Sequence, residues 1–163
     1  METSLTSYLT FKLGDETFAA NVSKVIEILE IPKITRVPRA PEFMRGVVNL
    51  RGNVLSVVDS RIKFGLPSTD DTVNTCIIVM NISLDGQDIT LGLIVDAVKE
   101  VRNIAPEAIQ PLPEIGSKFN TEFIEGMVKD DNQFIMLLNV AALFSSQEAD
   151  ILHQVSETVE QVN

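Results

Sequence analysis

The residues best suited to chemistry surround one cation at the tip of an apolar hairpin. The stretch 46–64, GVVNLRGNVLSVVDSRIKF, carries β-branched residues on both sides of a turn at Arg51-Gly52-Asn53. β-branched residues favour a pleated strand, and Gly52 supplies the backbone freedom that a short hairpin loop needs. Asp59 then stands at the N-cap position of a single helical turn. The pattern therefore predicts that Arg51 lies at the tip of an otherwise apolar hairpin, a position that structure alone does not explain.

Groups suited to catalysis or metal binding are scarce. His153 is the only histidine, and no nucleophile or metal-ligand pattern lies beside it. Cys76 is the only cysteine, which excludes an internal disulfide framework and a multi-cysteine zinc site; we interpret it as a small buried apolar residue. The acidic pairs at 70–71 and 130–131 lack the further ligands of a calcium loop. We therefore predict a protein that is not an enzyme and that holds no metal or cofactor.

Charge is spread unevenly along the chain. The formal net charge is −10, but eight of the thirteen basic residues fall between positions 24 and 63 with four acidic residues, so that segment carries +4 and the rest −14. The eight are Lys24, Lys33, Arg36, Arg39, Arg45, Arg51, Arg61 and Lys63. An acidic chain with no tryptophan and one tyrosine lacks the basic groove and stacking aromatics of a single-strand binder. The pattern excludes general nucleic-acid binding and favours an acidic protein partner, with a merely solvated surface as the alternative.

No stretch of the sequence is suited to crossing a membrane. The apolar runs are all shorter than the roughly 20 residues of a spanning helix. The first residues, METSLTSYLTF, lack the basic start and long apolar core of a signal peptide. At 163 residues the chain has the size of one domain. We expect a single cytoplasmic domain.

The two halves of the chain resemble each other, which predicts an internal duplication. Residues 122–144 align with residues 42–64 without a gap, and the match continues upstream at a slightly shorter spacing. The matched pairs include Gly46 with Gly126, Asp59 with Asn139, Phe64 with Phe144, and Val25 with Val98. Few positions are identical, so chance similarity between two hairpins is the alternative.

Short strands punctuated by Gly, Pro and Asp predict an all-β fold. About five strands in each half indicate two small barrels related by a pseudo-two-fold axis. Because a half of roughly 60–70 residues is marginal as an independent core, we expect a shared apolar seam. We place the first barrel mainly in residues 15–73 and the second mainly in 74–144, with the N-terminal strand exchanged. Residues 145–163 are predicted to form a C-terminal helix and tail that start from a capping box at Ser145 and Glu148.

Two edge-like segments could form the walls of a groove between the halves. They are Val25, Glu27 and Ile28 in the first half, and Val98, Glu100 and Val101 in the second. With Arg51 near the first segment, such a groove would combine apolar walls with a cation and a carboxylate. That composition suits an amphipathic helix. The alternative is that Val25 and Ile28 belong to the core and that Glu27 is only solvated.

The stretch GVVNLRGNVLSVVDSRIKF, with TRVPRAPEFM before it, resembles the CheW-like family of chemotaxis coupling proteins. FAANVSKVIEIL, LGLIVDAVKEV and IAPEAIQPLP match the family as well, so the resemblance spans residues 8–144. It implies two intertwined five-stranded barrels of the Src-homology-3 type. It also implies a non-enzymatic adaptor between the cytoplasmic tips of methyl-accepting chemoreceptors, which are helical hairpins, and the regulatory domain of the histidine kinase CheA. Association with the membrane would come only through the receptors.

Seven positions match the receptor-binding residues of the family. They are Val25, Glu27, Ile28, Gly46, Asn49, Arg51 and Val98. The resemblance implies that Arg51 supplies a cation to a receptor carboxylate or carbonyl. Where many relatives read V-L-P-V-x-D-L-R, this chain has Ser56 for the proline and Ser60 for the leucine. This departure keeps open a second reading, a CheW-like regulatory module of a parallel system such as pilus motility or another kinase pathway.

Overall fold

The computed structural model describes residues 5–67, 70–84, 86–112 and 123–162, with side chains of the last helix described through residue 154. The strands are β1 Thr6–Leu13, β2 Glu16–Asn21, β3 Val25–Glu30, β4 Met44–Leu50, β5 Asn53–Asp59, β6 Cys76–Leu84, β7 Gln87–Val95, β8 Ala97–Ile104, β9 Ile124–Asp130 and β10 Gln133–Leu138. The helices are α1 Ser60–Lys63 and α2 Ser146–Val162. Short 3-10 turns lie at Val22–Lys24, Pro106–Ala108 and Val140–Leu143.

The strands form two five-stranded sheets, in the orders β8-β1-β2-β10-β9 and β3-β6-β7-β5-β4. Each sheet curls so that the segment following one edge strand bridges to the other edge strand. Thr35 after β3 pairs with Val47 of β4, and Gln110 after β8 pairs with Met127 of β9. These bridges bring the two edges of each sheet together, so each sheet forms a small barrel. The prediction of an all-β fold with two five-stranded barrels and a C-terminal helix is confirmed.

The sheets do not divide the chain at residue 73. β1 and β2 pair within the sheet that holds β8, β9 and β10, whereas β6 and β7 pair within the sheet that holds β3, β4 and β5. Each half therefore gives its whole first hairpin to the other half, and not the N-terminal strand alone. Each exchanged hairpin pairs on both sides. β1 pairs with β8 and β2 with β10, whereas β6 pairs with β3 and β7 with β5. The predicted boundaries 15–73 and 74–144 are corrected accordingly.

Equivalent hydrogen bonds support the pseudo-two-fold relation of the halves. The Asp59 N–H donates to the Phe43 carbonyl at 2.8 Å, and the Asn139 N–H donates to the Phe123 carbonyl at 2.8 Å. The Asp59 carboxylate also caps α1 by accepting from the Arg61 N–H at 3.0 Å. The Asn139 side chain makes no such cap bond, and a 3-10 turn follows it instead of an α-helix. The alignment is therefore sound in backbone geometry but weaker at this cap.

The largest apolar cluster lies between the barrels and draws on both sheets, which confirms the shared seam. Its fully buried members include Phe11 of β1 and Leu93 of β7. Two aromatic pairs cross from one half to the other, Phe43 with Phe144 and Phe64 with Phe123. Their ring centroids are 5.8 and 5.0 Å apart. A smaller cluster fills the interior of each barrel.

The C-terminal helix α2 packs against β5. The predicted capping box is confirmed, because the Glu148 N–H donates to Ser145 Oγ at 3.1 Å and the Ser145 N–H donates to Glu148 Oε1 at 2.9 Å. Leu152 is buried in the seam cluster. Residues 68 and 69, and Glu122 of the aligned segment, lie outside the described residues.

Candidate functional site

The first element of the candidate site is β3, an edge strand of the first barrel. It pairs with β6 on one side only. Its register shifts between Val25 and Glu27, which makes Ile26 the extra residue of a β-bulge. Ile26 and Ile28 are 53% and 46% exposed. Large apolar side chains exposed along one strand indicate an interaction surface rather than a structural face.

The second element is the hairpin of β4 and β5, which presents Arg51 at its tip. Leu50 pairs with Asn53, so Arg51 and Gly52 form a two-residue turn with φ values of 51° and 88°. Positive φ at both positions gives the turn a twist that matches the flanking strands. The Gly52 N–H donates to Asn49 Oδ1 at 2.9 Å, which fixes the turn and turns the Asn49 side chain inward over it.

Arg51 and Glu27 bring the two elements together in a forked ion pair. Arg51 Nη2 donates to Glu27 Oε2, and Arg51 Nη1 donates to Glu27 Oε1 at 3.4 Å. The hydrogen bond to Glu27 and the charge of its carboxylate raise the pKa of Arg51 above its ordinary value, although slight desolvation opposes this. Arg51 keeps 69% of its side chain exposed, against 26% for Glu27. The guanidinium is therefore held in place and still available to a partner.

Gly46 has a structural role in the same hairpin. Its φ is +152°, and a Cβ at this position would lie 2.3 Å from the Thr35 carbonyl oxygen. The close approach lets Thr35 and Val47 exchange hydrogen bonds of 2.9 and 2.8 Å. Gly46 thereby allows the first barrel to close beside β3.

Val25 and Val98 lie on the two edge strands β3 and β8 and are related by the duplication. Both are half-buried and pack against the seam cluster between the barrels. Within the described part of the chain, no hydrogen bond or ion pair joins Val98 to the Arg51–Glu27 pair. The structure therefore brings six of the seven predicted residues to one barrel and places Val98 on the other, across the seam.

A second ion pair, on the other barrel, was not evident from the sequence. Arg102 Nη1 of β8 lies 3.1 Å from Asp130 Oδ1 at the end of β9. The edge strand here supplies the cation and the hairpin supplies the anion, which reverses the polarity of Glu27 and Arg51. The hairpin tips also differ, because Asp131, with φ 54°, occupies the position of Arg51. Residue 131 faces residue 51 in the gap-free alignment of the halves, but that alignment does not indicate the partner on β8.

A depression of about 690 Å³ beside α1 has a mixed lining. Arg36, Arg45, Asp59 and Asp71 are among its charged residues, and Arg45 Nη2 pairs with Asp71 Oδ1 at 2.7 Å.

In the described residues, no group of three or more His, Cys, Asp or Glu side chains is placed to hold a metal ion. Burial raises the pKa of the half-buried Cys76 thiol, which disfavours a reactive thiolate. None of the described helices is both long and apolar enough to cross a membrane.

Two barrels that exchange hairpins, with an apolar edge strand and an ion-paired cation beside it, define a protein-binding module. Comparison with known proteins makes the class specific. The CheW-like domain model matches residues 7–148. The chain therefore belongs to the CheW-like family of chemotaxis coupling proteins, and its function is that of a coupling adaptor.

Relatives and a solved structure agree with this assignment. A probable chemotaxis protein CheW of Rhizobium etli is 36% identical over 87% of this chain and 89% of its own length. The chemotaxis protein CheW of Klebsiella aerogenes is 32% identical over 96% of this chain and 92% of its own length. The crystal structure of the scaffolding protein TtCheW from Thermoanaerobacter tengcongensis superposes with a TM-score of 0.77 at 32% identity, covering 89% of this chain and 96% of that one.

Proposed function

We propose that the chain is a non-enzymatic cytoplasmic adaptor that binds the helical tips of methyl-accepting chemoreceptors and the regulatory domain of the histidine kinase CheA. It reaches the membrane only through the receptors and uses neither a cofactor nor nucleic acid. Family membership supports the adaptor role. The observation that carries the receptor contact is the exposed Arg51 guanidinium, which Glu27 holds beside the apolar edge of β3.

The receptor-binding surface combines an apolar floor with an oriented cation. Its residues are Val25, Glu27, Ile28, Gly46, Asn49, Arg51 and Val98. An amphipathic receptor helix would lay its apolar face on the valine and isoleucine side chains. Arg51 would then bind a carboxylate or a carbonyl of that helix. Because Glu27 already orients the guanidinium, little side-chain entropy is lost when the partner binds.

Coupling between receptor and kinase requires only that each partner prefers one of two arrangements of the complex. A coupling free energy of about 1–3 kcal/mol changes the affinity for one partner about 5- to 150-fold when the other partner binds. The seam between the barrels is well placed to transmit such a preference, because Val25 and Val98 both pack against it.

The experiment is co-sedimentation with receptor-containing membranes, in the presence and absence of CheA. Arg51→Glu should weaken receptor recruitment about tenfold or more, because the substitution places two carboxylates together and repels an acidic partner. Arg45→Glu is the matched control, since it reverses the charge of another arginine of the same sheet and breaks its ion pair with Asp71. The control should leave receptor recruitment unchanged.

A charge swap distinguishes two roles of Arg51, namely contact with the receptor and stabilisation of the fold through its ion pair with Glu27. The double variant Glu27→Arg with Arg51→Glu rebuilds the ion pair but presents the anion at the tip. If Arg51 contacts the receptor, recruitment by the double variant stays low. Full recovery would show that only the intramolecular pair matters and would contradict the proposed contact.

A further inference from the structure

Thr10 is a buried polar residue in the middle of β1, opposite the edge strand β8. Thr10 is 1% exposed. Thr10 Oγ1 donates to the Glu100 carbonyl at 2.8 Å and accepts from the Glu100 N–H at 3.1 Å. One hydroxyl thus satisfies both peptide groups of a single residue on the neighbouring strand.

These two bonds lie at a β-bulge. Leu9 pairs with Val101 and Phe11 pairs with Val98, so Thr10 alone stands opposite the two residues between them. A bulge leaves ladder groups without main-chain partners, and unpaired peptide groups are costly next to a core. The Thr10 hydroxyl replaces the missing ladder bonds and fixes the local path of β8.

The equivalent bulge on the first barrel is built differently. There Glu27 pairs directly with Val79 through the backbone, and Val79 occupies the place of Thr10. The chain therefore needs a side-chain hydroxyl only on the second barrel. On the second barrel, the hydroxyl fixes the segment of β8 that carries Val98, which is half-buried, and Val101, which is 57% exposed.

We propose that Thr10 is a positioning residue for the second-barrel side of the receptor-binding surface. This rests on the proposed function, because Val98 is the part of that surface that β8 supplies. Thr10 does not reach the receptor. Its hydroxyl holds the bulge in the one conformation that presents Val98 and Val101 on the same side as Val25 and Ile28 of β3.

The test compares three full-length variants in co-sedimentation with chemoreceptor-bearing vesicles and, separately, in binding to the CheA regulatory domain. Thr10→Val keeps the shape but removes both bonds and should weaken receptor binding about fivefold. Thr10→Ser keeps the hydroxyl and should bind like the wild type. Thr17→Val is the control, because Thr17 is a buried threonine of the same sheet on β2, with β1 between it and β8. Affinity for the kinase domain should change little in all three.

A double-mutant cycle distinguishes positioning from general destabilisation. If Thr10 acts through Val98, the effects of Thr10→Val and Val98→Ala on receptor binding are not additive. Additive effects, an equal loss of kinase binding, or wild-type receptor binding by Thr10→Val would each overturn the proposal. Thr10→Ala carries the same comparison if the valine variant does not fold. A wild-type chain that fails to bind receptor vesicles at all would overturn the receptor surface itself, which is a separate result.

Discussion

Gly46 lies where two backbone segments of the first barrel touch, and its substitution tests the closure of that barrel. Gly46→Ala would place a Cβ 2.3 Å from the Thr35 carbonyl oxygen at a φ of +152°. Since backbone cannot yield as a flexible side chain does, we expect a loss of about 3 kcal/mol in the free energy of unfolding. Urea denaturation followed by circular dichroism measures it.

Gly52→Ala is the control for Gly46. Gly52 has φ +88° but no atom within 4 Å of an added Cβ. Only conformational strain of about 1 kcal/mol is expected there. Equal losses at the two glycines would contradict the view that the contact with Thr35 matters more than the backbone angle.

Asp96 gives the fold a defined acid sensitivity. Burial alone would raise the pKa of this carboxyl, but the Arg61 guanidinium and the Gly14 N–H hold it below its ordinary value of 3.8. The Asp96 Oδ1 atom accepts from Arg61 Nε at 2.9 Å, and Oδ2 accepts from the Gly14 N–H at 2.6 Å. A carboxyl with a lowered folded-state pKa stabilises the protein above its unfolded-state pKa, and that contribution is lost as the pH falls through the folded-state pKa.

Asp96→Asn should therefore lower the urea midpoint at pH 7 and matter progressively less below about pH 4. The measurement is a series of urea midpoints from pH 7 to pH 2.5 for the wild type and the variant. Because the asparagine still accepts hydrogen bonds, the difference reports mainly the charge of the carboxylate. A difference that stays constant across the series would show that ionisation of Asp96 contributes nothing.

At the scale of elements, Glu148 both caps the start of α2 and ties the helix to α1. Glu148 accepts from the Ser145 N–H and pairs with Lys63 Nζ, which lies 2.9 Å from both carboxylate oxygens. Lys63 Nζ in turn lies 4.7 Å from the centre of the Phe43 ring. The helix start, α1 and the seam are thus joined at one ion pair.

Glu148→Ala should destabilise docking of α2 by about 1–2 kcal/mol, because it removes the cap bond and leaves Lys63 without its partner. Glu148→Gln keeps an acceptor for the Ser145 N–H and should cost about half as much. Hydrogen exchange of the α2 amides measures the effect locally. Equal exchange in the alanine and glutamine variants would mean that the cap bond contributes nothing, whereas wild-type exchange in the glutamine variant would mean that the ion pair does not hold the helix.

The sequence predicted those elements whose cause is local. The hairpin turn follows from Gly52, the start of α1 from Asp59, and the start of α2 from the box of Ser145 and Glu148; all three are as predicted. Asn139 resembles a cap by residue type, but its side chain forms no cap bond. Residue type indicates which hydrogen bonds a side chain can form, whereas the cap bond itself depends on the conformation of the backbone that follows.

The exchange of hairpins could not be derived in full from the sequence. A strand with apolar residues on both faces, such as β7 with buried Leu91 through Val95, signals a central position but not the partner beside it. The same holds for the pair Arg102 and Asp130, which are far apart in the chain and meet only because β8 and β9 curl toward each other. At the candidate site, the sequence placed Arg51 near Glu27 because the duplication set both on one barrel. The position of Val98 relative to this pair could not be predicted, because Val98 lies on the other barrel and its position depends on how the seam packs.

At the scale of the whole molecule, the seam predicts that the two barrels unfold together. Phe64 packs against Phe123 with a centroid distance of 5.0 Å and against Phe18 with a centroid distance of 5.0 Å. These contacts join strands and loops of both halves, and neither barrel retains its share of the cluster without the other. Such a core favours a single cooperative transition.

Phe64→Ala should lower the free energy of unfolding by about 3 kcal/mol, because it removes an aromatic ring from the seam and leaves a cavity. The control is Phe134→Ala. Phe134 is 44% exposed on β10, so this substitution should cost less than about 1 kcal/mol.

Tyr8 is the only tyrosine, there is no tryptophan, and Tyr8 lies in the interior cluster of the second barrel. Its fluorescence therefore reports that barrel, whereas far-ultraviolet circular dichroism reports both. Coincident urea transitions by the two probes, shifted together in Phe64→Ala, are expected because the substituted ring is shared by the halves. Transitions that separate in the variant would show that each barrel unfolds independently and that the seam is only an interface between two independently stable domains.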